Sequence, residues 1–284
     1  MDEGKRCYAA CSFRQSGISQ KIKGDSMSIM SDIAPFRMYG NLYFVGSSRV
    51  SVHILKTEEG LVVIDTGYPD MYDQIIESMR ILSFDPADIC AIIHSHGHID
   101  HTGTTLRLKE ISGAKTYISR IDNDIINGTR DLSWCRELGI ENPGDFDADV
   151  LIDDGDEFTF GTTKIRFKLA PGHTLGTLAI FIDLCENGEK ITAAMHGGTG
   201  LNTLNDAYIS ANGLPSDMRQ VFRKGLHDLA NERVDLVLGN HPQQNDTAGK
   251  LQKVLSGEKI TDPNEWQTFL KNTELGLDLL EAQA

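Results

Sequence analysis

The sequence predicts an α/β (α+β) chain in which two β-rich halves pack sheet on sheet with helices outside. Three observations predict it. Apolar runs of strand length fall in two groups, over residues 42–119 and 149–241. Stretches with apolar residues at helical spacing accompany each group. No Pro/Gly/Ser-rich linker separates the groups, so residues 35–284 are expected to form a single domain. At 284 residues with 40% hydrophobic residues, the chain can bury one large core.

Residues 1–34 are polar and irregular and read as a loose N-terminal arm. "LYFVG" and "SVHILKT" then read as strands around "SSR", and "EEG" turns the chain into the fully apolar "LVVIDTG". "MYDQIIESMRILS" (71–83) has helical spacing, and "ADICAII" (87–93) returns the chain to a sheet as a buried strand. "TGTTLRLKEISG" is a helix closed by glycine, followed by the strand "AKTYIS". Residues 121–147 are expected to be helix and loop. In the second half, "DVLIDDGDEFTFGTTKIRFKLAPGHT" holds strands broken at "DDGD" and "GTT", and "LAIFIDL" pairs with "KITAAMHG" around "CENGE". "PSDMRQVFRKGLHDLAN" is a long amphipathic helix, "VDLVLGNH" a last strand and "NEWQTFLKNTELGLDLLEAQA" a C-terminal helix.

The formal net charge of −14 argues against nucleic acid or an anionic membrane surface as a partner, since both would repel the chain. A small-molecule substrate is the expected partner; oligomeric state leaves no signal. No run approaches the roughly 18 apolar residues of a membrane span, and the N-terminus lacks the apolar stretch of a secretory signal. A cytoplasmic location is expected, or a periplasmic or secreted one if the chain is a processed form. Five scattered cysteines suit free thiols better than a disulfide framework. Cys7 and Cys11 form a C-x3-C pair, with no further Cys or His pair nearby to complete a structural zinc site.

The stretch His94 to Gly103, "HSHGHIDHTG", holds four of the nine histidines. It follows an apolar strand, so His96, His98, Asp100 and His101 stand where a strand gives way to a loop. Imidazoles and a carboxylate are ligands that zinc prefers, and two such groupings a few ångströms apart make a dinuclear site. His173 in "LAPGHTLGT" and His241 in "VDLVLGNHPQQND" also stand at the ends of apolar strands. Three strand ends that each deliver histidine point to convergence on one site. The other histidines take plainer readings. His53 is mid-strand and structural, His227 is on a solvated helix face, and His94 supports the motif or lies at the surface.

"PFRMYGNLYFVGSSRVSVHILKTEEGLVVIDTG", "SHGHIDHTG", "GDEFTFGTTKIRFKLAPGHTLGT" and "NHP" fall in an order and spacing that resembles the metallo-β-lactamase superfamily over residues 35–284. The resemblance is closest to the subclass (the third of class B) whose second zinc is held by Asp and two His. It implies an αββα sandwich with two zinc ions per chain at one edge of the sheets. It places the first zinc on His96, His98 and His173, and the second on Asp100, His101 and His241. Asp100 is implied to be catalytic as well, orienting the attacking water and relaying its proton. Asp65 resembles the family's strand-end Asp that supports the histidine loop.

Two departures sharpen this. Many superfamily members place a metal-bridging Asp in the segment that reads "ITAAMHGGTGLN" (191–202), which offers no carboxylate but does hold His196. That disfavours glyoxalase-type thioesterases, persulfide dioxygenases and diiron proteins. Thr199 follows Gly197-Gly198 where another subclass carries a Cys ligand. The serines that help hold a β-lactam carboxylate are not evident, and Thr199 or Asn202 stand in that segment.

The resemblance thus implies a zinc hydrolase that opens the β-lactam ring and so confers antibiotic resistance. The alternative is a hydrolase of a lactone, thioester or other cyclic amide or ester unconnected with resistance. An iron redox protein is disfavoured by the missing bridging carboxylate. A purely structural zinc is disfavoured by a six-ligand set where four closed ligands suffice.

Overall fold

A computed structural model of the chain describes residues 32–283. The expected arm, with Cys7 and Cys11, lies outside the described residues except for its last three positions, where Ile33 is buried against the core.

The first half builds a seven-stranded sheet. Its strands β1 (Phe36–Tyr39), β2 (Leu42–Phe44), β3 (His53–Thr57) and β4 (Gly60–Ile64) form an antiparallel meander. Helix α1 (Tyr72–Ile81) then carries the chain across to β5 (Ile89–Ile93), parallel to β4. The short α2 (Ile99–Thr102) and α3 (Thr105–Ser112) lead to β6 (Lys115–Ser119). The expected mixture over residues 121–147 holds two single-turn helices, α4 (Asn123–Ile126) and α5 (Cys135–Leu138), before the edge strand β7 (Val150–Ile152). Strands β4 to β7 run parallel.

The second half forms a five-stranded sheet in the order β12-β11-β10-β9-β8. It comprises β8 (Glu157–Phe160), β9 (Thr163–Leu169), β10 (Leu178–Glu186), β11 (Glu189–His196) and β12 (Leu236–Gly239). Helices α6 (Asp206–Ala211) and α7 (Met218–Leu229) lie between β11 and β12, and α8 (Thr247–Ser256) and α9 (Glu265–Glu281) close the chain. Only β12 pairs parallel, with β11.

Alternation along the strands fixes the layers. Val62 and Ile64 of β4 meet Ile180 and Ile182 of β10 in a core between the sheets, with Phe44, Ile93, Phe167 and Leu238. The opposite faces are apolar too, which is why these strands read as continuous hydrophobic runs. Val63 and Ile92 pack under Ile75 and Met79 of α1 and Leu108 of α3. Phe181 and Val237 pack under Phe222 and Leu226 of α7 and Trp266 and Phe269 of α9. The layers are therefore helix, sheet, sheet, helix: the expected α/β sandwich. Each fully buried Ile or Phe contributes about 1.5–3 kcal/mol, so the double-sided strands are the main source of stability. No helix among the described residues is long and apolar enough to cross a membrane.

Parallel strands align their carboxyl ends, and loops that leave those ends face one crevice. The loops after β4, β5, β9 and β12 are the ones that carry Asp65, His94 to His101, His173 and His241.

Candidate metal centre

Strand β5 stops at Ile93, and the next residues turn sharply into α2, with His98 as its N-cap. That bend sets Asp100 and His101 beside His96, and the rings of His96 and His101 lie 4.3 Å apart. The loop after β9 brings the His173 ring to 4.7 Å from His96 and 4.6 Å from His98. Ligand atoms of His96, His98 and His173 lie within 4.8 Å of one another, as do those of His96, Asp100 and His101. His241, at the end of β12, is set beside the second group: its Nε2 is 3.5 Å from Asp100 Oδ2, and His101 Nε2 is 3.4 Å from the same oxygen. All six expected residues thus meet at one crevice. The compact second triad contains His96, however, and His241 joins through Asp100.

The outward ring nitrogens are fixed by hydrogen bonds. His101 Nδ1 donates to Asp65 Oδ2 at 2.8 Å, His173 Nδ1 to the Gly200 carbonyl at 2.8 Å, and His241 Nδ1 to the Arg49 carbonyl at 2.8 Å. A carbonyl only accepts, so each of these last two rings presents a bare Nε2 lone pair to the crevice, the tautomer a metal requires. His96 Nδ1 lies 3.2 Å from Ser95 Oγ. The Nε2 atoms of His96 and His101 are buried with no hydrogen-bond partner. Orphaned buried nitrogens are costly; a cation would satisfy His96 directly, and at His101 it would take the place of the Nε2 proton that the two carboxylates favour. The donor set fits zinc, being imidazole nitrogen with one carboxylate.

Asp65 takes a left-handed conformation (φ 58°), which costs a non-glycine residue about 1–2 kcal/mol. It is held there by its bonds: Oδ1 accepts from the Ser95 N–H at 2.7 Å, and Oδ2 from Ser95 Oγ at 2.8 Å as well as from His101. His94 is buried rather than at the surface. Its ring meets the His101 carbonyl and Thr105 Oγ1, each at 3.2 Å, so it braces the motif from behind. His196 is buried with its Nε2 unpartnered and its ring against Phe222, outside both triads. His53 is buried mid-strand, and His227 is exposed on α7 beside Glu274.

Charge in the crevice is unevenly distributed. Burial and neighbouring imidazoles hold His96 and His98 well below the ordinary imidazole range, and burial takes His173 down to about 4. Burial acts the same way on His101 but is overcome by the Asp100 and Asp65 carboxylates, which push it up to about 10. Burial would raise the Asp100 carboxyl, yet His101 and His241 hold it far below the usual carboxylate range, so it stays ionised.

Two aromatic residues beside the site carried no recognisable signal in the polar stretch around them. Trp134, itself left-handed (φ 67°), sets its ring 5.8 Å from His98 and donates through Nε1 to Tyr208 Oη at 2.9 Å. The Arg49 guanidinium lies 4.2 Å over the Tyr68 ring, and burial and the Asp100 charge push that phenol up to about 12.

A family model described as the metallo-beta-lactamase superfamily matches residues 45–185. An uncharacterized protein of Aquifex aeolicus is 26% identical over 140 residues, which cover 48% of this chain and 62% of that protein. A hydroxyacylglutathione hydrolase of Pseudomonas putida is 34% identical over 92 residues, which cover 32% of this chain and 27% of the relative. The chain thus spans less than two thirds of the length of these curated relatives. Among solved structures, BJP-1, a subclass B3 metallo-β-lactamase of Bradyrhizobium japonicum, superposes with a TM-score of 0.81 at 23% identity. The match covers 89% of this chain and 95% of the other, and it shows the same fold.

Proposed function

The chain belongs to the metallo-β-lactamase superfamily, a group built largely of metal-dependent hydrolases, and from that premise we propose that it opens the amide of a β-lactam ring at a two-zinc site. The observation that carries this reading is the convergence of His96, His98 and His173 on one point and of Asp100, His101 and His241 beside it. His96 leaves a buried Nε2 there with no hydrogen-bond partner, and the buried His101 Nε2 beside Asp100 also lacks a hydrogen bond.

The first three residues would hold one ion and the second three the other. Zinc held there would supply a nucleophilic water at neutral pH and electrophilic activation of a carbonyl. The chain's own groups do the rest. Asp100 stays ionised among imidazoles, and its carboxylate would accept a hydrogen bond from the attacking water and so orient it. Asp65 keeps His101 turned toward the crevice. Trp134 and Tyr208 wall the side next to His98 and exclude water from an apolar substituent there. Tyr68 keeps its phenolic proton throughout the neutral range and can donate to a substrate group near Asp100.

A second reading, hydrolysis of a thioester or lactone, is favoured by the Pseudomonas relative named for a glutathione thioester. Against it, β11 ends in His196 where a bridging carboxylate would be needed for that branch of the family.

The test is acid release by the zinc-loaded protein on penicillins, cephalosporins, carbapenems, lactones and thioesters, with and without chelator. Chelator-sensitive turnover of β-lactams is expected. Turnover confined to lactones or thioesters would replace the substrate while leaving the metal assignment in place.

A further inference from the structure

Asp122 follows β6 and belongs to neither triad, yet it is fully buried and its carboxylate is shared by two of the three histidine-bearing loops, those after β5 and β9. Oδ2 accepts from the backbone N–H of Gly97, between His96 and His98, at 2.9 Å. It also accepts from Thr174 Oγ1, next to His173, at 2.7 Å. Oδ1 accepts from the Gly176 N–H at 2.8 Å. The Asp122 N–H donates to Ser119 Oγ at 3.1 Å, which anchors the residue to the end of β6. Thr174 Oγ1 lies 2.8 Å from Thr177 Oγ1, so the His173 loop is closed on itself before it meets the carboxylate.

The geometry leaves room for nothing larger than glycine at either donor loop. A Cβ at Gly97 would stand 2.8 Å from the Cβ of Ile125; one at Gly176 would stand 2.2 Å from Ser119 Oγ and 2.5 Å from Asp122 Oδ1. The "HSHGH" and "GHTLG" glycines therefore allow two loops to close on one side chain. A buried carboxylate is costly unless several donors meet it, and here three do. An Asn of the same shape would turn an N–H2 toward one of those donors.

One loop leaves the first sheet at β5 and the other leaves the second sheet at β9, so the carboxylate couples the sheets at the edge where His96, His98 and His173 meet. We infer that Asp122 is a positioning residue that sets the separation of His173 from the His96–His98 pair, and with it the affinity of the metal position those three form. This rests on reading the trio as a metal site.

The experiment uses cobalt(II) as the probe on the full chain and on Asp122→Asn, Thr174→Val and Thr174→Ser. Affinity is read by competition with a chelating dye and coordination by the visible absorption bands. The melting of each metal-free protein is recorded separately. D122N is expected to lose about 10–100-fold in cobalt affinity, with shifted bands, while its metal-free form still unfolds cooperatively. T174V, which removes one donor of three, loses less in the same direction, and T174S recovers toward the unmutated protein. If metal-free D122N does not fold, the T174V and T174S pair decides. Equal affinities and spectra in that pair overturn the inference; a weaker, shifted T174V upholds it. Unchanged cobalt binding in D122N, or a loss that only tracks the melting of the metal-free form, also overturns it. An unmutated chain that takes up no cobalt sinks the metal reading itself.

Discussion

Replacing His53 by leucine will remove a measurable part of the acid sensitivity of this fold. His53 lies in β3 with no exposed surface, both ring nitrogens without partners and its ring 5.8 Å from Phe44. Burial pushes it down to about 4, with Asp65 opposing weakly, whereas in the unfolded chain it titrates near its ordinary 6.5. The unfolded state therefore binds the proton more tightly. The stability that the neutral ring allows is complete above pH 6.5 and is lost as pH falls through 6.5 toward 4, by about 3 kcal/mol over the whole span. Between pH 8.0 and 5.5 the loss from this one residue is about 1.4 kcal/mol, a factor of ten in the folding constant. Urea unfolding of metal-free wild type and His53→Leu at those two pH values reads it directly, at low protein concentration because the pI is near 5.0. Other buried histidines, such as His94, act equally in both proteins and cancel in the comparison. The wild type should lose about 1.4 kcal/mol more than the variant. Identical pH dependence in the two would refute the reasoning.

Gly176→Ala drives a Cβ into Ser119 and Asp122 and should destabilise the metal-free protein by about 1–3 kcal/mol in urea unfolding, with weaker zinc uptake. Asp65→Ala strands the Ser95 N–H, the Ser95 hydroxyl and His101 Nδ1 in the interior; a loss of about 3–5 kcal/mol is expected, and a variant as stable as wild type would deny Asp65 its supporting role. Asp100→Asn keeps the shape but removes the charged carboxylate that would both hold the second ion and orient the attacking water, so turnover on the substrate identified by the panel should fall about 10²–10⁴-fold in kcat. Undiminished turnover would remove Asp100 from the chemistry.

The parts of this fold that were legible in the sequence are those set by local pattern. The apolar runs at β4, β5 and β10 are buried on both faces and so stand out, and the histidine spacing after β5 announces the crevice. The sequence predicts a meander of three strands, and the structure has four. β1 is only Phe36–Tyr39, with Arg37 exposed and paired to Glu186, too short for its alternation to register. Helix α8 leaves no clear sequence signal because its start depends on a left-handed Asp246 whose side chain caps Gly249, and glycine inside the first turn masks the helical pattern. Within the site, metal-facing residues show themselves by type and spacing. Asp122 does not: its three donors come from positions 97, 174 and 176, and only the folded chain brings them together. Trp134 is silent for a similar reason, since its partners are His98 and Tyr208.

Zinc counted per chain by mass spectrometry tests the central claim most directly, in the reconstituted protein and in His173→Ala and His241→Ala after dialysis against trace metal. The two triads predict two equivalents in the unmutated chain, and one in each variant, from opposite sides of the site. Two equivalents retained in both variants, or fewer than one in the unmutated chain, would contradict it.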